Sequence, residues 1–233
     1  MADYRKAFPR RNTLLVVVHT ETVKQALRNA SVAREGGVDG IFLINHSITA
    51  GQLLEIFREV QAQHGDWWIG LNFLDLAPSS AVAMLPDGAS GIWLDNGGIV
   101  EGDFDPSEQA RQVRSIQQAY SGEPLLFGGI AFKYQQRVND VAHVAQLAAP
   151  HMDVVVTSGE GTGIAADIAK IRTMKEAIGE HPLALASGVT VENVGDYLEW
   201  VDCFLVATGV SDSHTELNPL KVGALADRIH SSS

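Results

Sequence analysis

Short apolar runs rich in Val, Ile, Leu and Trp recur along the chain at intervals of roughly 20 to 35 residues, with amphipathic stretches between them. Continuous apolar runs bounded by turn residues mark strands buried on both faces, and the spacing leaves room for one crossover helix between successive strands. The pattern predicts eight strands, over residues 14–18, 40–44, 67–72, 91–95, 124–128, 153–157, 183–187 and 203–207. It predicts helices over 21–35, 49–63, 78–85, 106–120, 139–148, 165–178, 191–200 and 219–230. Local punctuation agrees with these bounds. Gly36-Gly37 and Gly179 suit helix ends, while Asp105-Pro106 and Asn218-Pro219 each set a capping side chain before a first-turn proline.

Alternating strands and helices feed both an open Rossmann-like sheet and a closed barrel. Eight near-regular units with polar residues at nearly every strand exit favour the second. The expected fold is therefore α/β, a single (β/α)8 TIM barrel over residues 1–233, with no linker or low-complexity stretch to argue for another domain. A small phrase also repeats: Asp39, Asp153 and Asp202 each stand just before a predicted strand. In a barrel those positions lie on the bottom face, away from the catalytic mouth, which predicts a structural role.

Strand exits gather around one mouth in such a fold, so residues distant in sequence become neighbours. Two small-residue loops follow the last two strands, Ala186-Ser187-Gly188-Val189 and Ala207-Thr208-Gly209-Val210. Glycine lets the backbone close on an anion, and paired loops at this end form the usual phosphate cradle of the fold. Ser187, Gly188, Thr208 and Gly209 are thus expected to grip a phosphate through their backbone.

The other exits supply chemistry. Asp95 is the leading general acid or base, since a carboxylate at the rim of an apolar interior can hold its proton to higher pH; the alternative is a cap for the loop Asn96-Gly97-Gly98. His19 suits proton shuttling or metal binding, or a hydrogen-bonded structural place, and His46 shares that ambiguity with Asn45 beside it as a donor to a substrate oxygen. Asn72 joins them after the third strand. Lys133, in a loop freed by Gly128 and Gly129, is a candidate to hold a phosphate or carboxylate, or to form a Schiff base if desolvated. After the sixth strand, Thr157, Ser158, Gly159 and Gly161 are candidate ligand contacts. Glu160 is a candidate partner in proton transfer, a contact to ribose hydroxyls or a metal ligand, with a flexible solvated loop as the equal alternative.

Gly161-Thr162-Gly163-Ile164-Ala165-Ala166 fits the dinucleotide fingerprint G-x-G-x-x-A literally, yet five strand and helix units precede it, which argues against NAD. No cofactor is required by the sequence. A divalent metal is compatible with Asp75, Asp95, His19 and His46, although no spacing demands one. Trp67, Trp68 and Trp93 read as packing.

Charge narrows the partners. With 28 Asp and Glu against 17 Lys and Arg, the net charge of -11 discourages nucleic-acid binding, which lysine and arginine largely supply, but leaves room for a small anionic metabolite. Cys203 is the only cysteine, so no intrachain disulfide forms, and its mid-strand place predicts inert core. The apolar run that ends at Val18 is too short for a signal peptide, and no stretch approaches the ~20 apolar residues of a membrane span. A cytoplasmic protein without membrane insertion is expected. Its subunit number stays open, a homo-oligomer included.

Over Lys133 to Gly163, and again at Ser187-Gly188-Val189-Thr190-Val191-Glu192-Asn193-Val194 and Val206-Ala207-Thr208-Gly209-Val210, the chain resembles the BtpA family, which includes SgcQ-like proteins. That family looks like a branch of the ribulose-phosphate-binding barrels. The resemblance implies the same fold and a phosphate site at Gly188 and Gly209, but hands over no catalytic set. Ribulose-phosphate epimerases use metal-binding residues on several strands including the seventh, where this chain has Ser187. The isomerases of histidine and tryptophan synthesis use an acid or cysteine after the first strand, where it has His19.

Together these features suggest an enzyme acting on a phosphorylated sugar or nucleotide-like metabolite by proton transfer, with Asp95, His19, Glu160 and Lys133 as its working side chains. The alternative is a BtpA-like binding or complex-assembly factor without turnover.

Overall fold

A computed structural model describes residues 3–120 and 122–231. Eight parallel strands close into one barrel in sequence order: β1 (Thr13–Thr20), β2 (Gly40–Asn45), β3 (Trp68–Phe73), β4 (Gly91–Leu94), β5 (Leu125–Gly129), β6 (Val154–Ser158), β7 (Leu183–Ala186) and β8 (Cys203–Val206), with β8 pairing back onto β1. A short helix, α1 (Tyr4–Ala7), precedes the barrel. Crossovers run through α2 (Val23–Glu35), α3 (Ala50–His64), α4 (Pro78–Ala83), α5 (Glu108–Gln117), α6 (Val141–Ala148) and α7 (Ile168–Ile178), and α8 (Pro219–His230) closes the chain. Among the described residues no helix is long and apolar enough to cross a membrane.

The expected helix over 191–200 does not form. Between β7 and β8 the chain makes only a 3-10 turn, Val194–Asp196, among looser turns. The Asn193 side chain accepts from the Thr190 amide at 2.8 Å and donates to the Gly188 carbonyl at 2.7 Å, so it ties the start of the crossover back to the loop after β7. Such local side-chain bonds compete with helix formation.

Side chains alternate along each strand, and the two phases build two cores. Leu15, Val17, Phe42, Ile44, Trp93, Phe127, Val154, Val156 and Leu205 fill the barrel, where Phe42 meets Trp68, Trp93 and Phe127 edge to face. The other phase packs under the helices. Cys203 is fully buried inside the barrel, where desolvation pushes its thiol well above the usual range. Below it, Tyr4 and Phe8 stack towards Trp68 and stopper the base, with the Tyr4 hydroxyl donating to Thr13 Oγ1 at 2.8 Å and to the Asp202 carbonyl at 2.9 Å.

A two-point clamp recurs at that base. Asp39, Ser90, Asp153 and Asp202, each the residue before an even-numbered strand, donate their amides to the carbonyls of Leu14, Ile69, Leu126 and Leu183. The side chain of each then accepts from the amide of the same odd-strand residue, at 2.8, 3.2, 2.8 and 3.0 Å. Three of the four are the repeated aspartates, and each carries basic side chains as well. Asp153 takes the two Arg114 nitrogens at 2.8 Å with both partners buried, Asp202 takes Arg5 and Lys175, and Asp39 takes Arg10 and His230.

Asp153→Ala strands a buried guanidinium, so it is expected to cost about 3–5 kcal/mol in urea unfolding. Ser90→Ala removes one neutral bond and should cost about 0.5–1.5 kcal/mol. Equal costs would show that the ion pair adds nothing beyond the clamp.

Candidate active site

Strand phase decides which exits face the mouth. On β1 the interior positions Leu15 and Val17 lead to His19, on β2 Phe42 and Ile44 lead to His46, and on β4 Trp93 leads to Asp95. All three line a cavity of about 320 Å³ at the carboxyl end of the barrel, together with Lys133, Tyr134, Thr162, the loops 186–189 and 205–209, and His214. Ligand sites of this fold sit at the same end, and the volume is in the range of small-molecule pockets.

Asp95 Oδ1 accepts from Asn72 Nδ2 at 3.0 Å. Desolvation raises its pKa, against the lowering effects of the Asn72 bond and of Lys133 and His46. Asn72 is itself buried and off the cavity wall, so its visible task is to position that carboxylate. Burial, with His214, His46 and Lys133 nearby, lowers the pKa of His19 to about 3, and burial first also lowers that of His46. Both imidazoles are neutral at physiological pH, with lone pairs to offer.

Lys133 is held by a strained loop. Ala131 and Tyr134 on either side have φ of 45° and 64°, left-handed values that side chains resist. The Lys133 amide donates to Ser158 Oγ at 2.8 Å, and its ammonium reaches Ser187 Oγ at 3.1 Å and Thr162 Oγ1 at 3.3 Å. The cation thus stands over the loop after β7. Ser187 and Gly188 there have φ of 71° and 69°. A Cβ on Gly209 would lie 2.0 Å from the Val189 carbonyl oxygen, so the two glycine loops touch only because that position is bare. Among the described residues, the amides of Gly188, Val189, Thr208 and Gly209 donate to no backbone or side-chain acceptor.

Other expected site residues are committed elsewhere. Asn45 falls on the outward phase and is buried: it donates to Asp75 Oδ1 and the Ile48 carbonyl and accepts from the Leu74 amide, clamping the β2 and β3 exits. Asp75, spent on Asn45 and the Ala50 amide, is no free metal ligand. Thr157 and Ser158 are fully buried and bond to the Ala131 and Gly159 carbonyls. Gly161 accepts from the Ile164 amide within its own loop. Glu160 does not reach the main cavity. Its side chain is 89% exposed, 3.8 Å from Arg137, on a neighbouring depression lined also by Gly159 and Lys170. Lys170 donates there to the Ala131 and Ser158 carbonyls, and burial lowers its pKa to about 8.

Lining residues that the sequence pattern does not place at the site include His214, Trp93, Tyr134 and Thr162. His214 sits in the segment joining β8 to α8, five residues beyond Gly209 of the glycine loop. Trp93, read as packing, forms part of the wall, and its Nε1 is buried without a partner.

A closed parallel barrel with a ligand-sized cavity at its carboxyl end, ringed by imidazoles, a carboxylate and unpaired loop amides, defines a TIM-barrel protein with its site at the customary pole. The chain belongs to the BtpA family, which it matches over residues 74–227. An uncharacterized protein of Thermococcus kodakarensis is 24% identical over 209 residues, covering 81% of this chain and 77% of that one. Among solved structures, phosphoribosyl anthranilate isomerase from Thermus thermophilus superposes with a TM-score of 0.69 at 18% identity, covering 95% of this chain and all (100%) of that one. (S)-3-O-geranylgeranylglyceryl phosphate synthase from Thermoplasma acidophilum gives 0.68 at 14%, covering 99% and 100%. At these identities the likeness is one of fold.

Because the folded state holds the Asp95 proton to higher pH than the unfolded chain does, this group makes stability rise as pH falls through the interval between the two values; above it the buried carboxylate is a cost. Asp95→Asn keeps an acceptor for Asn72 without the charge. It is expected to raise the melting temperature at neutral pH and to lose that advantage in acid, as followed by thermal unfolding across pH. A variant less stable than the wild type at neutral pH would contradict this account.

Proposed function

We propose that the mouth binds a small phosphorylated metabolite, sugar-like or nucleotide-like, and moves a proton on it. The observation that carries the reading is the set of unpaired amides at Gly188, Val189, Thr208 and Gly209, gathered at one cavity wall beside the Lys133 ammonium. Unpaired amides on adjoining loops attract an anion, and a lysine beside them adds a point charge. Two fold neighbours support the reading by their ligands, one bearing its substrate sn-glycerol-1-phosphate and the other acting, by its name, on a phosphoribosyl compound.

With the phosphate at β7 and β8, the rest of the ligand extends over the interior towards β1, β2 and β4. Asp95 is there the acid or base, because its raised pKa lets it hold a proton closer to neutrality and Asn72 fixes its direction. His19, neutral and lining the same wall, acts as acceptor or as hydrogen-bond partner to a ligand oxygen. Lys133 holds the anion; its bonds to Ser187 and Thr162 keep it at the phosphate end and away from Schiff-base duty. Glu160, exposed on the neighbouring depression, has no part in this scheme.

Ribose 5-phosphate and glycerol 1-phosphate are expected to raise the melting temperature, by the equivalent of about 2.7 kcal/mol at 100 times Kd, while ribose and glycerol do not. Lys133→Ala and Gly209→Ala should abolish the shift. Equal shifts from the unphosphorylated compounds, or none from any phosphorylated one, would sink the phosphate assignment. Turnover is read separately, as solvent deuterium entering a bound ketose or aldose phosphate by NMR. Asp95→Asn should keep the thermal shift and slow that exchange about 100-fold or more; binding without exchange in the wild type would favour the assembly-factor alternative.

A further inference from the structure

His19 comes from β1, His46 from the β2 exit and His214 from the segment after β8, three elements that adjoin around the barrel. Their ring centroids are 4.6, 4.2 and 5.2 Å apart, and one nitrogen from each can be chosen so that all three lie within 4.8 Å of one another. None of the three rings makes a hydrogen bond among the described residues, whereas His230 at the base is paired with Asp39. His19 Nδ1 is also buried without a partner, which costs free energy unless something satisfies it.

We infer that His19, His46 and His214 form a three-imidazole site for one divalent first-row transition ion, with Zn²⁺ as the reference case. Three such rings gathered with free nitrogens and no carboxylate among them are a poor site for Mg²⁺ or Ca²⁺, which take oxygen ligands, and a good one for Zn²⁺ and its neighbours. Only three protein ligands converge, so at least one coordination position stays open, the mark of a catalytic rather than a structural ion. All three rings line the same cavity. The open position therefore faces the ligand space, where the ion would polarise a carbonyl or hydroxyl oxygen or a bound water. That role rests on the function proposed above; the binding of the ion does not.

The site has its own electrostatic cost. The Lys133 charge acts on both His19 and His46, opposing a second cation, while the Asp95 carboxylate acts on His46 in the ion's favour. An anionic ligand held by Lys133 would tip that balance, so ion and phosphorylated ligand should each strengthen binding of the other.

The test uses the full chain, freed of metal with chelator and titrated with Zn²⁺ by calorimetry, and with Co²⁺ by visible absorption. One equivalent of Zn²⁺ should bind, and Co²⁺ should give the intense visible bands of a low-coordinate site. His214→Ala and His46→Ala lie at exposed positions and should fold normally by circular dichroism; each is expected to weaken binding about 100-fold or more, above the ~10–100-fold typical of losing a mere outer-shell partner. His143→Ala, on α6, should bind as the wild type does. Absence of stoichiometric binding, or binding that survives His214→Ala and His46→Ala unchanged, overturns the site. Both titrations are run without phosphate compounds, and the thermal shifts above without metal, so either assignment can fail alone.

Discussion

The barrel depends on a two-point lock between each odd strand and the residue that opens the next even one. At Leu14, Ile69, Leu126 and Leu183 the carbonyl receives a backbone amide, and the same residue's amide is taken by Asp39, Ser90, Asp153 or Asp202. A one-residue slip would turn every interior side chain outwards, and the lock forbids it at four places around the circumference. It also satisfies the amides of Leu14, Ile69, Leu126 and Leu183, buried residues where an orphan would be costly. The cations on the aspartates extend the lock to other elements: Arg114 brings in α5, Lys175 brings in α7, and Arg5 brings in α1. With the base fixed, the opposite pole is free to carry groups that stabilise nothing.

That division shows in which polar groups are occupied. Asn45, Thr157 and Ser158 are buried and join neighbouring exits, Ser158 by accepting from the Lys133 amide. His19, His46, His214, Asp95 and the glycine-loop amides stand on the cavity wall with capacity unused. Left-handed backbone at Ala131, Tyr134 and Ser187 clusters beside Lys133. Strain of this kind costs of order 1–3 kcal/mol per residue and persists only where surrounding contacts enforce it, here on the cation and the loop it overlooks.

Much of this was legible in the chain. All eight strands were, because strands buried on both faces read as unbroken apolar runs, and the aspartate phrase marked three of the four lock positions as structural. Ser90 was missed since a hydroxyl carries no comparable signal. The helix expected over 191–200 has a fitting apolar pattern, but Asn193 spends its side chain on the preceding loop. At the mouth, Asp95 and Lys133 stood out as charges beside apolar runs. Alternation along β2 separates His46 from Asn45, since only the former shares the phase of Phe42 and Ile44. His214 was hidden for a different reason. Its partners are 168 and 195 positions away, from 214 − 46 and 214 − 19, and no local pattern joins residues that meet only when β8 closes on β1.

At the other pole, Tyr4, Phe8 and Trp68 fill the floor of the barrel. The molecule is in consequence a cup and not a pipe. Whatever enters over the rim must leave over the rim. Passage of a bound molecule through the base is ruled out by shape, and any exchange takes place across the lip.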